Sequence, residues 1–245
     1  MKKNRYGLLG RNISYSFSQG YFTRKFKELG LDDHSYENFD IPEISEFKSV
    51  LTEPNLKGLN VTIPYKQDVI PYLDELDEKA AKIGAVNTIK FTQNGLKGFN
   101  TDAYGFKVSL QSFLQPHHKK ALVLGTGGAS KAICFVLDEL GIDHAYVSRN
   151  KKKNQFTYEE LTKDIVEAYT VIINCTPLGT HPNVGNKPDL PYQYIGNKHL
   201  LFDLIYNPEK TTFLALGEAK GATISNGLEM LLGQAEKAWE IWNTP

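Results

Sequence analysis

Short apolar runs bounded by glycines and polar clusters recur along the chain. Between them lie stretches whose apolar residues return every three or four positions. The first pattern suits strands buried on both faces, the second amphipathic helices. Residues 6–10 form the first run, and Tyr21, Phe22, Phe26 and Leu29 trace a helix that Gly30 is placed to stop. A strand over 35–38 and a helix around 44–51 follow. Residues 60–63 read as a β-branched strand that ends near Ile63, because Pro64 cannot donate to a sheet ladder. After Pro71, Leu76, Ala80 and Ile83 share a helical face that terminates at Gly84. Residues 85–91 and 96–99 are strands joined at Asn94 and Gly95, a hairpin turn signal.

A helix over 103–114 runs up to Gln115, Pro116, His117 and His118, which read as the crossing between two domains. Residues 121–124 are a continuous apolar strand entering a glycine turn, with a helix over 131–140 behind it. Further strands fall at 144–148, 171–175 and 200–205. The last helix, 228–242, puts Leu228, Leu231, Leu232, Ala235, Trp239 and Trp242 on one stripe, expected to be core. Strands alternating with helices predict an α/β protein with a parallel sheet.

Composition narrows the function. At 245 residues there is room for one large domain or two modest ones. Net charge is zero, so no broad basic face for nucleic acid or anionic membrane is expected, and Lys151, Lys152 and Lys153 are too few to change that. Cys134 and Cys175 have neither CxxC nor His spacing, which predicts no disulfide framework and no metal site. Two reduced, buried thiols and a basic start with no apolar signal core behind it suit a cytoplasmic protein. No apolar run is long enough to span a membrane.

Strand, glycine turn and helix occur in the order of a dinucleotide-binding turn at Gly125, Thr126, Gly127, Gly128 and Ala129. There the backbone can approach a pyrophosphate, whose charge meets the free amides of the helix start. Ser130 stands where a third glycine is usual. Arg149 lies 24 positions after Gly125, where NAD-binding folds carry an acid. A guanidinium there suits the 2′-phosphate of NADP; the plainer reading is a surface arginine. The strand ends at 176–179 and at 206–208 are expected to line the cofactor crevice. Lys66, beyond a strand end, is a proton donor, a charge clamp or a solvated lysine. Ser16 and Ser18 either cap a helix or offer hydroxyls to a carboxylate. Asp102 opens a helix as a cap would, and Gln234 either reaches a ligand or is solvated.

The stretches SYSFS after YGLLG, NVTIPYK, GAVNT, GFNTD, GTGGAS, VSRN, INCTPLG, DLIYNP and GLEMLLGQA follow one another in this order. In that order they resemble the shikimate dehydrogenase (shikimate/quinate dehydrogenase) family over nearly the whole chain. The resemblance implies a two-domain α/β fold with a cleft between the domains. Residues 1–101 would form a mostly parallel-sheet substrate domain and 102–226 a Rossmann-type NADP domain, with 227–245 a helix returning to the first. It implies reversible, NADP-dependent reduction of 3-dehydroshikimate to shikimate, a step towards chorismate and the aromatic amino acids. The partner would be that small molecule, with no nucleic acid or membrane, and the protein a monomer or homodimer.

Carried over by residue, Ser16 and Ser18 would hold the substrate carboxylate, and Asn60, Thr62, Asn87, Tyr206 and Gln234 its other oxygens. Lys66 and Asp102 would be the catalytic pair. Gly125, Thr126, Gly127, Gly128, Ala129, Arg149, Asn150, Thr176, Leu204 and Gly227 would contact the cofactor. Three departures stand out: Gln19 where the family usually has proline, Tyr15 where it often has histidine, and a deletion between Asn150 and Val171. Two rival readings are a quinate-preferring dehydrogenase and a cofactor-binding regulator without catalysis, the second disfavoured by the presence of both Lys66 and Asp102.

Overall fold

A computed structural model describes residues 4–14 and 16–244; Tyr15, a point of departure from the family, falls outside them. Contacts divide the chain into two units, Met1–Thr101 with Ala235–Pro245, and Asp102–Gln234. In chain order the first unit holds β1 (Asn4–Gly10), α1 (Phe17–Glu28), β2 (His34–Asp40), a 3-10 turn (Ile44–Glu46) leading into α2 (Phe47–Val50), and β3 (Leu56–Val61). It continues with a 3-10 turn (Ile70–Tyr72), β4 (Glu75–Leu76), α3 (Glu78–Ile83), β5 (Thr88–Thr92) and β6 (Gly95–Phe99). The second unit holds α4 (Asp102–Gln111), β7 (Lys120–Leu124), α5 (Gly128–Glu139), β8 (Asp143–Ser148), β9 (Gln155–Thr157), α6 (Lys163–Ala168), β10 (Val171–Asn174), β11 (Leu200–Asp203), α7 (Thr212–Glu218) and β12 (Thr223–Ser225). The last helix, α8 (Leu228–Asn243), contributes to both.

The first sheet runs β2-β1-β3-β5-β6-β4. β1 is parallel to β2 and β3, and β4 to β6, while β5 is antiparallel to β3 and β6. Alternate residues of β1 feed two cores. Tyr6 and Leu8 join Phe22 and Phe26 of α1 and Trp242 of α8, while Leu9 joins Phe47, Leu59, Val61 and Ile89. A strand covered on both faces has to be apolar throughout, which is why residues 6–10 read as an unbroken run.

The second sheet runs β12-β11-β10-β7-β8-β9 with every pair parallel. Counted within the unit, this is the order of a doubly wound dinucleotide-binding fold, which binds its ligand outside the carboxyl ends of the strands. One face of the sheet, through Leu122, Leu124, Ile172 and Leu201, packs on Val166 of α6 and Phe213 and Leu214 of α7. On the other, Phe202 meets Phe106 of α4 edge-on with ring centroids 5.2 Å apart.

Several local expectations need correction. Residues 115–118 are no crossing: they lie inside the second unit. There the His118 ring accepts from the Gln115 amide at 2.9 Å and, with His117, reaches the Lys198 carbonyl at 3.2 and 3.0 Å. The helix expected from Leu76 starts at Glu78, because Asp77 caps it by accepting from the Lys79 amide and Leu76 is drawn into pairing with Gly98. β3 ends at Val61, two residues before Ile63. Leu228 is exposed; the buried positions of α8 are Met230, Gln234, Ala235, Ala238 and Trp242. Cys134 is buried, but Cys175 only half so, and both are free. No helix among the described residues is long and apolar enough to cross a membrane.

Candidate functional site

In the first unit, one continuous and mostly buried set of hydrogen bonds links the start of α1, through β2, to the carboxyl end of β3 and the amino end of the antiparallel β5. Ser16 caps α1, its hydroxyl accepting from the Ser18 amide at 3.1 Å. So the capping role of Ser16 is observed, and a cap leaves its own hydroxyl hydrogen to donate elsewhere. Ser18 is buried and hydrogen-bonds Tyr36. The Tyr36 hydroxyl donates to Asn60 Oδ1 at 2.8 Å. Asn60 Nδ2 donates to the Asn87 carbonyl at 3.3 Å and to Thr88 Oγ1 at 3.1 Å. Asn87 Nδ2 donates to Thr101 Oγ1 at 3.0 Å, and its Oδ1 accepts from the Thr101 amide at 2.7 Å. Burial, the main influence on Tyr36, pushes its phenol well above its usual range, so it stays a neutral donor.

This set joins three residues singled out from the sequence, Ser18, Asn60 and Asn87, through three that were not: Tyr36, Thr88 and Thr101. Both amide hydrogens of Asn60 are spent inside the protein. Asn60 therefore orients the set and has only acceptor capacity left for anything else. Thr88 and Thr101 sit inside motifs already quoted, but Tyr36 lies in a polar strand, HSYENFD, with no pattern to mark it.

Lys66 is half-buried in the turn after β3. The turn is tightly held: the Thr62 amide donates to the Leu9 carbonyl at 2.9 Å, and the buried Tyr65 hydroxyl to the Ile41 carbonyl at 2.8 Å. The Lys66 carbonyl accepts from the Val86 amide at 2.7 Å, which ties the lysine backbone to the residue before Asn87. Thr62 itself is half-buried. Gln19, where proline was expected, accepts from Asn38 Nδ2 at 3.5 Å.

In the second unit, Asp102 is buried and is the first residue within α4 rather than the cap before it. A carboxylate in a first turn is favoured by the helix dipole. Gln234 is buried, and Tyr206 is half-buried beyond the end of β11. The glycine turn joins β7 to α5. Gly125 has φ +95°, a conformation that side chains rarely adopt, and its amide donates to the Val147 carbonyl at 2.9 Å. Gly127 caps α5 without any side-chain hydrogen bond, and a Cβ built on it would meet nothing within 4 Å. Thr126 and Gly127 are exposed, Gly128 and Ala129 half-buried. The Ser130 hydroxyl donates to the Gly127 carbonyl at 2.7 Å, so the serine in the third glycine position is satisfied without blocking the turn.

Arg149 and Asn150 are exposed just past β8, where Ser148 Oγ donates to the Asn150 carbonyl at 2.6 Å. Thr176 follows β10, its hydroxyl and amide donating to Asn174 Oδ1 at 2.6 and 3.0 Å. Gly227 donates to the Ile205 carbonyl at 3.1 Å, and a side chain there would collide with the Leu204 carbonyl. Thr176, Leu204, Tyr206 and Gly227 thus occupy adjoining turns at the carboxyl edge of the sheet. An open glycine turn, free helix amides and a cation past the second strand fit a dinucleotide carrying an extra phosphate. Among the described residues no cluster of His, Cys, Asp or Glu could hold a metal ion.

Parallel order, glycine turn and helix start define a dinucleotide-binding α/β protein. The sequence pattern of the shikimate dehydrogenase substrate binding domain matches residues 8–89. The shikimate dehydrogenase (NADP(+)) of Clostridium beijerinckii is 41% identical over 97% of this chain and 91% of its own. That of Methanosphaera stadtmanae is 38% identical over 96% and 90%. The crystal structure of shikimate 5-dehydrogenase from Thermus thermophilus in complex with NADP(H) and shikimate is similar with a TM-score of 0.86, at 31% identity over 99% of this chain and 94% of that one. The chain belongs to the shikimate dehydrogenase family.

Proposed function

We propose that this chain is an NADP-dependent shikimate dehydrogenase, reducing 3-dehydroshikimate reversibly to shikimate on the route to the aromatic amino acids. The observation that carries the reading is similarity to NADP(+)-dependent shikimate dehydrogenases along 96% or more of the chain. Ser16 and Ser18 hold the substrate carboxylate at the start of α1. Thr62, Asn87, Tyr206 and Gln234 take the remaining oxygens, and Asn60 keeps Asn87 and Tyr36 in register. A hydroxylated, anionic ring needs donors fixed in advance, and the buried hydrogen-bond set supports that role.

Bound NADPH supplies the hydride. Lys66 donates the proton to the oxygen that becomes the alkoxide, and in the reverse direction takes it back from the hydroxyl. Asp102 orients the ammonium and accepts from a neighbouring substrate hydroxyl. A positioned acid–base group of this kind contributes about 10²- to 10⁴-fold. Arg149 grips the 2′-phosphate in a paired, planar contact that ammonium groups cannot reproduce.

The reading is tested by steady-state assays with shikimate and quinate, each with NADP+ and NAD+. It expects the highest kcat/KM for shikimate with NADP+. Preference for quinate, or for NAD+, would overturn the substrate or the cofactor assignment respectively. No turnover with any pair would overturn catalysis.

A further inference from the structure

Two apolar strands end in polar side chains that are wholly buried. Asn174 closes β10 and Asp203 closes β11; they are neighbours in the parallel register, and both are 0% exposed. Three donors converge on the Asp203 carboxylate. Asn174 Nδ2 and the Ile205 amide donate to Oδ1, each at 3.0 Å, and Thr211 Oγ1 donates to Oδ2 at 2.6 Å. Asn174, so held, presents its Oδ1 to both the hydroxyl and the amide of Thr176. The Leu204 amide donates to the Asn174 carbonyl at 3.1 Å, and Gly227 donates to the Ile205 carbonyl. Every turn carrying Thr176, Leu204, Tyr206 and Gly227 is therefore fixed, directly or through one intermediate, to this carboxylate.

We propose that Asp203 is a positioning residue for hydride transfer, fixing Thr176 and the 204–206 turn in the geometry the reaction needs. The inference rests on the function proposed above, which assigns Thr176 and Leu204 to the cofactor and Tyr206 to the substrate. An acid is required because all three facing groups donate. An amide would keep Oδ1 for Asn174 and Ile205 but turn N–H groups towards Thr211. The Thr211 oxygen already accepts from the Leu214 amide at 3.4 Å, and its proton would be left without an acceptor in a site with no water access. Burial raises the Asp203 carboxyl to about 6, with the three hydrogen bonds opposing, so it is mostly ionised near neutrality and accepts from all three.

The test compares Asp203→Asn, Thr211→Val and Thr211→Ser in full-length protein for kcat, both KM values and thermal midpoint. Misplacement by a fraction of an ångström to an ångström at a reacting centre lowers rate by up to about 10²-fold. Asp203→Asn should lower kcat at least tenfold beyond any change in the folded fraction, Thr211→Val should lower it in the same sense, and Thr211→Ser should stay within twofold of the parent. Should Asp203→Asn fail to accumulate, Thr211→Val carries the test alone. A lowered midpoint with parental kcat and KM in the folded variants would overturn the positioning role and leave Asp203 a fold residue. A parent chain inactive towards shikimate with NADP+ would instead overturn the proposed function, and this inference with it.

Discussion

Replacing Tyr36 by phenylalanine removes one oxygen from the centre of the buried set and little else. The ring stays stacked on Phe22, with centroids 4.6 Å apart and planes at 11°, so packing is preserved. What is lost is the 2.8 Å hydrogen bond to Asn60 Oδ1 and the partner of Ser18. Asn60 is 4% exposed, so its oxygen cannot turn to water. Leaving one buried acceptor without its donor costs about 1–3 kcal/mol. The same loss loosens Ser18 and Asn60 at the place where the carboxylate and Asn87 are to be held. About 1.4 kcal/mol is tenfold in an equilibrium constant, so KM for shikimate should rise about tenfold while KM for NADP+ is unchanged. Urea unfolding and steady-state kinetics on Tyr36→Phe report the two effects separately. Parental stability together with parental KM for shikimate would refute the reasoning, since it would mean that the set neither braces the fold nor orders the substrate groups.

Arg149→Ala should lower kcat/KM with NADP+ by about 10- to 100-fold, the worth of one charge-assisted pair, and leave NAD+ unaffected; equal losses would remove the 2′-phosphate role. Burial, reinforced by His117 and opposed by the Lys198 carbonyl, holds the His118 imidazole below its ordinary value. A depressed histidine binds its proton more readily when unfolded, so its contribution is full above about pH 6.5 and is lost as pH falls through the folded value. Urea midpoints measured between about pH 5 and pH 7 should therefore fall on acidification, and His118→Gln should flatten that slope; an unchanged slope would contradict the assignment. Gly58→Ala puts a methyl inside the indole of Trp242, whose Nε1 donates to the Ile89 carbonyl at 3.0 Å. Overpacking of this kind costs about 1–3 kcal/mol and should shift tryptophan emission as the ring is displaced; an unaltered midpoint and spectrum would show that the indole has room to move.

Most strands and the second sheet's class were legible because their information is local. Residues 121–124, 171–173 and 200–202 are apolar throughout, as strands covered on both faces must be. Gly30 and Gly84 stand at left-handed positions where helices stop, as their placement predicted. Legibility failed where a distant partner decided the outcome. Leu76 has helical spacing, yet strand pairing with Gly98 claims it. Gln115 to His118 have the composition of a linker, yet two histidine rings bind them to Lys198. The site divides in the same way. Ser18, Asn60 and Asn87 belong to short motifs, whereas Tyr36 and Thr211 matter only through residues 24 and 8 positions away. Asn174 and Asp203 did leave a trace, a polar residue closing an apolar strand, because only a paired polar group can be buried there.

The account turns on Lys66 as the group that moves the proton. Turnover of Lys66→Ala with saturating shikimate and NADP+ tests this most directly. The account predicts a fall of about 10²- to 10⁴-fold, with KM for shikimate changed far less. Turnover equal to the parent's would contradict it, and would move the proton chemistry to another residue.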